Sequence, residues 1–134
     1  DDPSLASMDM RIPAQRHSNV EKSGTVWRQS TLLKVWKKSH VIITKESLMF
    51  WYHTDKDSAP EDVLALKKVN GVRREEGSIR PYTFVISGKG VVFPFAANSD
   101  EDMEAWLRAI GKGIVNATTT EWDETSDRIA ESQE

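Results

Sequence analysis

The apolar residues of this 134-residue chain change their spacing once, near residue 98, and this change constrains the fold more than any other feature. Before it, apolar residues alternate with polar ones or form short β-branched and aromatic runs, as in strands. After it, they recur every three or four residues, as on one face of a helix. Seven strands followed by one helix predict a mostly β domain, in which the helix covers an open end or face of an antiparallel sheet or partial barrel.

Turn-forming residues separate the predicted strands. A turn is predicted at residues 44–46, a polar loop containing Pro60 at 55–62, and a hairpin turn at 88–90. The segments between these breaks favour strands because β-branched and aromatic side chains are frequent in them. The predicted strands cover residues 23–29, 34–43, 47–53, 63–66, 69–74, 81–87 and 91–97.

The helix is predicted to begin after Ser99, whose side chain can cap the first turn. Acidic residues at 100–102 suit the positive end of the helix dipole. Gly111 and Gly113 weaken the last turn, so the helix is predicted to end within a few residues of 114. The apolar stripe, in which Trp106 is predicted to be a core residue, comprises Met103, Trp106, Leu107, Ile110 and Ile114.

The length fits one domain, predicted to cover residues 22–116. Residues 1–21 are predicted to be an N-terminal leader, either a short helix opened by Asp2 and Pro3 or unstructured chain. Residues 117–134 hold six acids and one base, with few apolar residues, and predict a flexible acidic tail.

The sequence lacks the patterns that are typical of several functional classes. The chain has no cysteine, its three histidines lack metal-ligand spacing, and no glycine-rich phosphate loop is present. We therefore expect no enzymatic activity, metal or cofactor. The net charge of −3 argues against nucleic acid as a partner. No apolar run approaches the roughly 20 residues of a membrane-spanning helix, and no signal peptide is visible.

Charge is distributed unevenly along the chain. Residues 22–45 carry six bases and no acid, whereas residues 46–62 carry five acids and one base. The basic block favours an anionic partner, although a solvated strand face is the simpler alternative.

An ordered set of motifs resembles a pleckstrin homology (PH) domain over about residues 22–116. The set consists of Gly24-x-Val26-x-Arg28, Trp36-Lys37-Lys38 leading into Val41-Ile42-Ile43, Leu48-Met49-Phe50-Trp51-Tyr52, Phe84-x-Ile86, Phe93-x-Phe95 and Trp106 in a final helix. The resemblance implies a seven-stranded, strongly bent antiparallel sandwich capped by one C-terminal helix. It also implies a binding site for an anionic lipid headgroup at the open end, between the first two strands, and no catalysis.

The alternation of strand side chains refines this site. Val26 and Arg28 share one face of the first strand, and Lys37 and Ser39 share one face of the second. If both faces point inward, Arg28 and Lys37 meet at the mouth of a pocket, where a guanidinium and an ammonium suit a phosphate. Otherwise both are ordinary strand-end charges. The predicted headgroup-binding residues are Arg28, Lys34, Lys37, Lys38 and Ser39.

Leu32 and Leu33 lie at the tip of the loop between these strands, beside Lys34. Adjacent leucines in a short loop are predicted to insert into a bilayer next to basic residues. The alternatives are that the loop folds back onto the domain or that the leucines contact a protein.

Departures from the PH pattern indicate which lipid is bound. PH domains that bind polyphosphorylated inositides tend to have a basic residue, a spacer and then basic-x-Arg, but Ser39 stands at the last arginine position and Phe50 where a tyrosine often helps. Four acids follow the third strand: Asp55, Asp57, Glu61 and Asp62. Few donors and nearby acids favour a headgroup with one phosphate, and phosphatidic acid most. The alternatives are a phosphoinositide monophosphate and a PH-fold module that binds a protein.

The stretch also resembles a narrower family, the acylated PH-domain proteins of protist parasites, which are implied to sense phosphatidic acid. Those proteins carry fatty-acyl groups on an N-terminal extension, which here would precede Asp1. One acyl chain binds a membrane only marginally, so a lipid-specific domain would supply the second signal. The expected location is cytoplasmic and peripheral on a membrane surface, and an acyl anchor upstream of Asp1 is implied only by this resemblance.

Overall fold

The computed structural model describes residues 12–30, 32–88 and 90–132, with side chains up to residue 117. These residues form seven strands and one α-helix, with short 3₁₀ turns at Ala14–Arg16 and Leu66–Lys68. The elements are β1 (Val20–Gln29), β2 (Trp36–Thr44), β3 (Leu48–Tyr52), β4 (Asp62–Ala65), β5 (Val69–Arg74), β6 (Thr83–Gly88), β7 (Val92–Ala96) and α1 (Asp100–Ser132).

All strand pairs are antiparallel and belong to one sheet of order β4-β3-β2-β1-β7-β6-β5. Strand β1 pairs with β2 along its length and with β7 at Trp27 and Arg28, so it joins the two halves of the bent sheet. This confirms the predicted mostly β fold, and the predicted strand boundaries agree to within three residues.

The inner face of the sheet packs against the first part of α1. Trp106 is 1% exposed, and Met103 and Ile110 are buried beside it. Ser99 caps the helix as predicted, because its Oγ accepts a hydrogen bond from the Asp102 amide at 3.0 Å. The helix therefore closes one part of the sheet with an apolar stripe.

The predicted end of the helix near residue 114 was wrong, because α1 continues to Ser132. Gly113 serves close packing: a Cβ added there would lie 2.4 Å from Leu66 Cδ1, and Ser47 Oγ donates a hydrogen bond to the Gly113 carbonyl at 2.8 Å. No glycine or proline follows in residues 114–132 to stop the helix. Residues 117–132, predicted to be a flexible tail, thus extend a helix, and residues 133–134 lie outside the described part.

Residues 12–19, which we call the N-terminal strap, lie across the outer face of β2 and β3. The Tyr52 hydroxyl donates to the Ile12 carbonyl at 2.6 Å, and its oxygen lies 2.7 Å from His17 Nε2. Burial raises the pKa of Tyr52 to about 12. The strap covers a second apolar cluster that comprises Ala14, Ile42, Phe50, Tyr52 and Val63. The helix proposed near Asp2 and Pro3 lies outside the described residues.

Among the described residues, no helix combines the length and apolar character needed to cross a bilayer.

Candidate functional site

The β1–β2 hairpin brings two predicted site residues face to face. Arg28 is the Cα partner of Lys37, and Val26 is the partner of Ser39. Val26 and Ser39 are each 1% exposed, so this face of the hairpin points inward. The alternation of side chains predicted this arrangement, with apolar groups in the depth and the two cations towards the loop.

Arg28 is held in a defined position at the edge of this inward face. Its guanidinium carbon lies 5.7 Å from the centroid of the Trp51 ring, and its Nη2 lies 3.4 Å from Glu61 Oε2. Its side chain is 17% exposed, and its Nε is buried with no hydrogen-bond partner among the described residues. Arg28 is therefore a fixed cation with unused hydrogen-bonding capacity.

Ser39 adds a second unpaired polar group on the same face. Its Oγ is buried and has no hydrogen-bond partner in the part of the chain that the structure describes. A buried polar atom without a partner costs about 1–3 kcal/mol. The arginine expected by the PH pattern is replaced here by a small neutral donor.

Lys38 does not join Arg28 and Lys37. It points to the outer face of the hairpin, where its Nζ lies 5.5 Å from the centroid of the Trp27 ring. The Arg80 guanidinium stacks on the same ring at 3.8 Å. Arg80 was not predicted to lie here, because no local pattern indicates that the β5–β6 loop reaches Trp27.

The β1–β2 loop presents its leucines to solvent, so it does not fold back onto the domain. Leu32 is 89% exposed and Leu33 is 73% exposed. Hydrogen bonds between Ser30 and Val35 close the base of the loop, with the Ser30 amide 2.9 Å from the Val35 carbonyl. Lys34 is exposed in this loop and lines an open groove of about 370 Å³ that extends to β7.

The acids after β3 have different roles. The Asp57 carboxylate accepts hydrogen bonds from the Thr54 hydroxyl at 2.9 Å and from the amides of His53 and Thr54, which closes a turn. The bond from the Thr54 hydroxyl is the main reason that the pKa of Asp57 is lowered. Glu61, by contrast, directs its carboxylate at Arg28. The acidic loop was predictable from the sequence, but the contact between Glu61 and Arg28 was not.

This fold and this site define the class of the protein: the chain belongs to the PH domain family, whose model matches residues 20–115. It is similar to pleckstrin homology domain-containing protein 1 of Arabidopsis thaliana, with 25% identity over 104 residues that cover 73% of this chain and 71% of the relative. It is also similar to GTP exchange factor for ARFs 1 of Caenorhabditis elegans, with 23% identity over 119 residues that cover 70% of this chain but only 30% of the relative.

Solved structures show the same fold. The PH domain of Slm1 in complex with phosphoserine is 26% identical, with a TM-score of 0.62 and coverage of 72% of this chain and 96% of that chain. The C-terminal PH domain of pleckstrin in complex with D-myo-Ins(1,2,3,5,6)P5 is 20% identical, with a TM-score of 0.65 and coverage of 73% and 99%. PH domains are membrane- and lipid-binding modules that are generally non-catalytic.

Proposed function

We propose that this PH domain binds an anionic phospholipid whose headgroup carries one phosphate, with phosphatidic acid as the favoured ligand. The Arg28–Lys37 pocket would hold the phosphate while Leu32 and Leu33 enter the bilayer. One observation carries the proposal: an arginine with an unpaired buried Nε lies at the base of a loop whose two leucines are almost fully exposed.

The donor set favours a small headgroup. Arg28 and Lys37 are the two opposed cations, and the Ser39 hydroxyl lies deeper on the same face. Lys38 is on the outer face, so it supplies long-range attraction to an anionic surface rather than a contact in the pocket. Two cations can neutralise one phosphate, whereas a headgroup with several phosphates would leave charges unpaired.

Membrane insertion of the loop would add affinity that a small headgroup cannot supply. Complete removal of a leucine side chain from water is worth about 1.5–3 kcal/mol, and nearly all of that surface is available for Leu32 and Leu33. Basic residues near an anionic surface add roughly 1 kcal/mol each, and Lys34 is adjacent to the leucines.

A phosphoinositide monophosphate is the second candidate, because its phosphomonoester presents the same charge to Arg28 and Lys37. The phosphoserine in the Slm1 complex is also a phosphomonoester. The exposed leucines are equally compatible with a protein contact, and in that case the domain is a PH-fold module that binds a protein. An acyl group upstream of Asp1, implied by the protist resemblance, would add a further attachment of this peripheral protein to its membrane.

The test is liposome co-sedimentation at physiological salt. Neutral vesicles are compared with vesicles that contain phosphatidic acid, phosphatidylserine or a phosphoinositide monophosphate at matched surface charge. We expect selective pelleting with phosphatidic acid. Equal pelleting with all anionic lipids would mean that the site is a basic patch without headgroup specificity. Preference for the phosphoinositide would select the second candidate. No pelleting with any vesicle would favour a protein partner.

Three variants locate the binding. Arg28→Ala should lower affinity about tenfold or more, since hydrogen bonds to charged groups contribute about 1.5–3 kcal/mol. Leu32→Glu should abolish pelleting, whereas a peptide bound at a sheet edge would be unaffected by it. Lys38→Ala is the matched control on the outer face: it removes one positive charge and should weaken binding to all anionic vesicles slightly and equally.

A further inference from the structure

The Arg28 site contains its own competing anion. We propose that Glu61 is the specificity-determining residue of the pocket: its carboxylate occupies Arg28 in the free protein, gives way to one phosphate and repels a headgroup that carries more. The inference deepens the proposed function and rests on it, because it assigns the choice of headgroup to one residue of the same site.

The backbone holds Glu61 in this position. The Glu61 amide donates to the Trp51 carbonyl at 2.8 Å, and the next residue, Asp62, pairs with Trp51 across β3 and β4. Arg28 lies over the ring of that same tryptophan. The Glu61 backbone and the Arg28 guanidinium are therefore both positioned relative to Trp51, which brings the two side chains within reach of each other.

The contact is suited to exchange. It is a single pair of atoms, Nη2 and Oε2, at 3.4 Å, whereas strong bidentate pairs between arginine and carboxylate have contacts of roughly 2.7–2.9 Å. Arg28 Nε takes no part in it and has no other partner within residues 12–30, 32–88 and 90–117. A phosphate can present oxygens to both Nε and Nη2, so it can displace the carboxylate from Arg28.

The displaced carboxylate remains at the pocket, because its backbone is anchored. Its side chain is 40% exposed and can turn towards solvent, but a second or third phosphate on the ligand would still lie near a negative charge. The repulsion grows with the charge of the ligand, so Glu61 disfavours a polyphosphorylated headgroup more than a monophosphate. Asp57 cannot replace it in this role, since its carboxylate is engaged in the turn with Thr54.

The experiment compares Glu61→Gln with Glu21→Gln. Glu21 makes an equivalent surface ion pair with Lys112, at 3.1 Å, but near the start of β1, away from the β1–β2 loop. Both variants remove one negative charge and keep the side-chain shape. Binding is measured with vesicles that contain phosphatidic acid or phosphatidylinositol bisphosphate at matched surface charge, and thermal unfolding confirms that both variants fold.

We expect Glu61→Gln to raise affinity for bisphosphate vesicles roughly tenfold and affinity for phosphatidic acid less, so that the preference shifts. Glu21→Gln should change both affinities slightly and equally. In the double variant Arg28→Ala/Glu61→Gln the gain should disappear, because without Arg28 no phosphate is held close to residue 61.

If Glu61→Gln raises affinity for both kinds of vesicle equally, and by as much as Glu21→Gln does, the effect of Glu61 is only that of net charge. This result would overturn the inference. A loss of binding in Glu61→Gln would also overturn it, because Glu61 would then support the ligand. If the wild-type protein shows no preference for phosphatidic acid but Glu61→Gln still gains on the bisphosphate, the inference stands and the proposed ligand fails. No binding by either protein would overturn both.

Discussion

Two cations on the inner face of β1 each lie over a tryptophan, and they have opposite surroundings. Lys22 Nζ lies 4.6 Å from the centroid of the Trp106 ring, where the helix covers the sheet. Arg28 lies 5.7 Å from the Trp51 ring, next to the open β1–β2 loop, and its Nε is unpaired. The local chemistry is similar in both places. Helix α1 covers the first cation, whereas the second lies beside an exposed loop, where we propose that a ligand binds.

The apolar side chains at the two places show the same contrast. Trp106 is 1% exposed beneath the helix, whereas Leu32 is 89% exposed at the tip of the loop. Substitutions beneath the helix should therefore lower the free energy of unfolding, and substitutions in the loop should lower membrane binding only. Variants in the two regions should therefore separate stability from membrane binding, with the largest losses of stability beneath the helix.

Trp106→Ala should have the largest effect. Removing this buried side chain leaves a cavity between the helix and both halves of the sheet, and large-to-small changes of this kind cost about 3–5 kcal/mol. Urea unfolding followed by circular dichroism measures the loss. Val115→Ala, at a 62% exposed position on the same helix, is the control and should change stability by less than about 0.5 kcal/mol.

Gly113→Ala and Gly111→Ala should change stability in opposite directions. A Cβ at Gly113 would collide with Leu66 at 2.4 Å, and overpacking costs about 1–3 kcal/mol, whereas a Cβ at Gly111 meets nothing within 4 Å. Gly111→Ala should therefore stabilise the helix by up to about 1 kcal/mol. Thermal unfolding measures the stability of both variants. Destabilisation by both would contradict the packing role of Gly113.

The strap should make stability depend on pH. Burial lowers the pKa of His17 below its ordinary value, although the Glu46 carboxylate opposes this shift. The unfolded chain therefore binds a proton more readily than the folded one, so stability is complete above about pH 6.5 and falls as the pH drops through the lowered pKa. We expect the free energy of unfolding to decrease between pH 7 and pH 5.5, and His17→Gln to flatten this dependence.

An NMR titration of the His17 ring checks the cause directly. A titration midpoint at or above the ordinary histidine value would show that the strap does not bury His17.

Leu32→Glu should have the smallest effect on stability, within about 0.5 kcal/mol. The Leu32 side chain is 89% exposed, so its replacement removes almost no buried apolar surface. The same variant should lose binding to vesicles that contain phosphatidic acid. A large loss of stability would instead mean that the loop packs against the domain in solution. The loop would then not differ in burial from the region beneath the helix.

Most of the fold could be predicted because its signals are local. Alternation in the strands, the cap at Ser99 and the helical stripe around Trp106 each depend on neighbours within a few residues. The pairing of Arg28 with Lys37 was predictable for the same reason, since the two residues flank one hairpin.

Signals that depend on distant neighbours were missed or misinterpreted. Gly113 indicated a helix end until its contact with Leu66 was known, and the strap resembled a leader until Tyr52 and His17 were seen together. Lys38 counted among the pocket residues because its sequence neighbours belong there, yet strand alternation points it at Trp27. Leu66 and Tyr52 are far from Gly113 and His17 in the sequence. Lys38 was misassigned for a different reason, since strand alternation alone already places it on the face opposite to Lys37.

The sequence by itself determined the element order, the basic β1–β2 hairpin and the apolar loop tip, because periodicity and turn chemistry act over short distances. Only the tertiary structure decided which face of the hairpin points inward and which acid faces Arg28. Those choices depend on how β3 and β4 pair and where the helix covers the sheet, and side chains that are 33 residues apart, such as Arg28 and Glu61, meet only after the chain has folded.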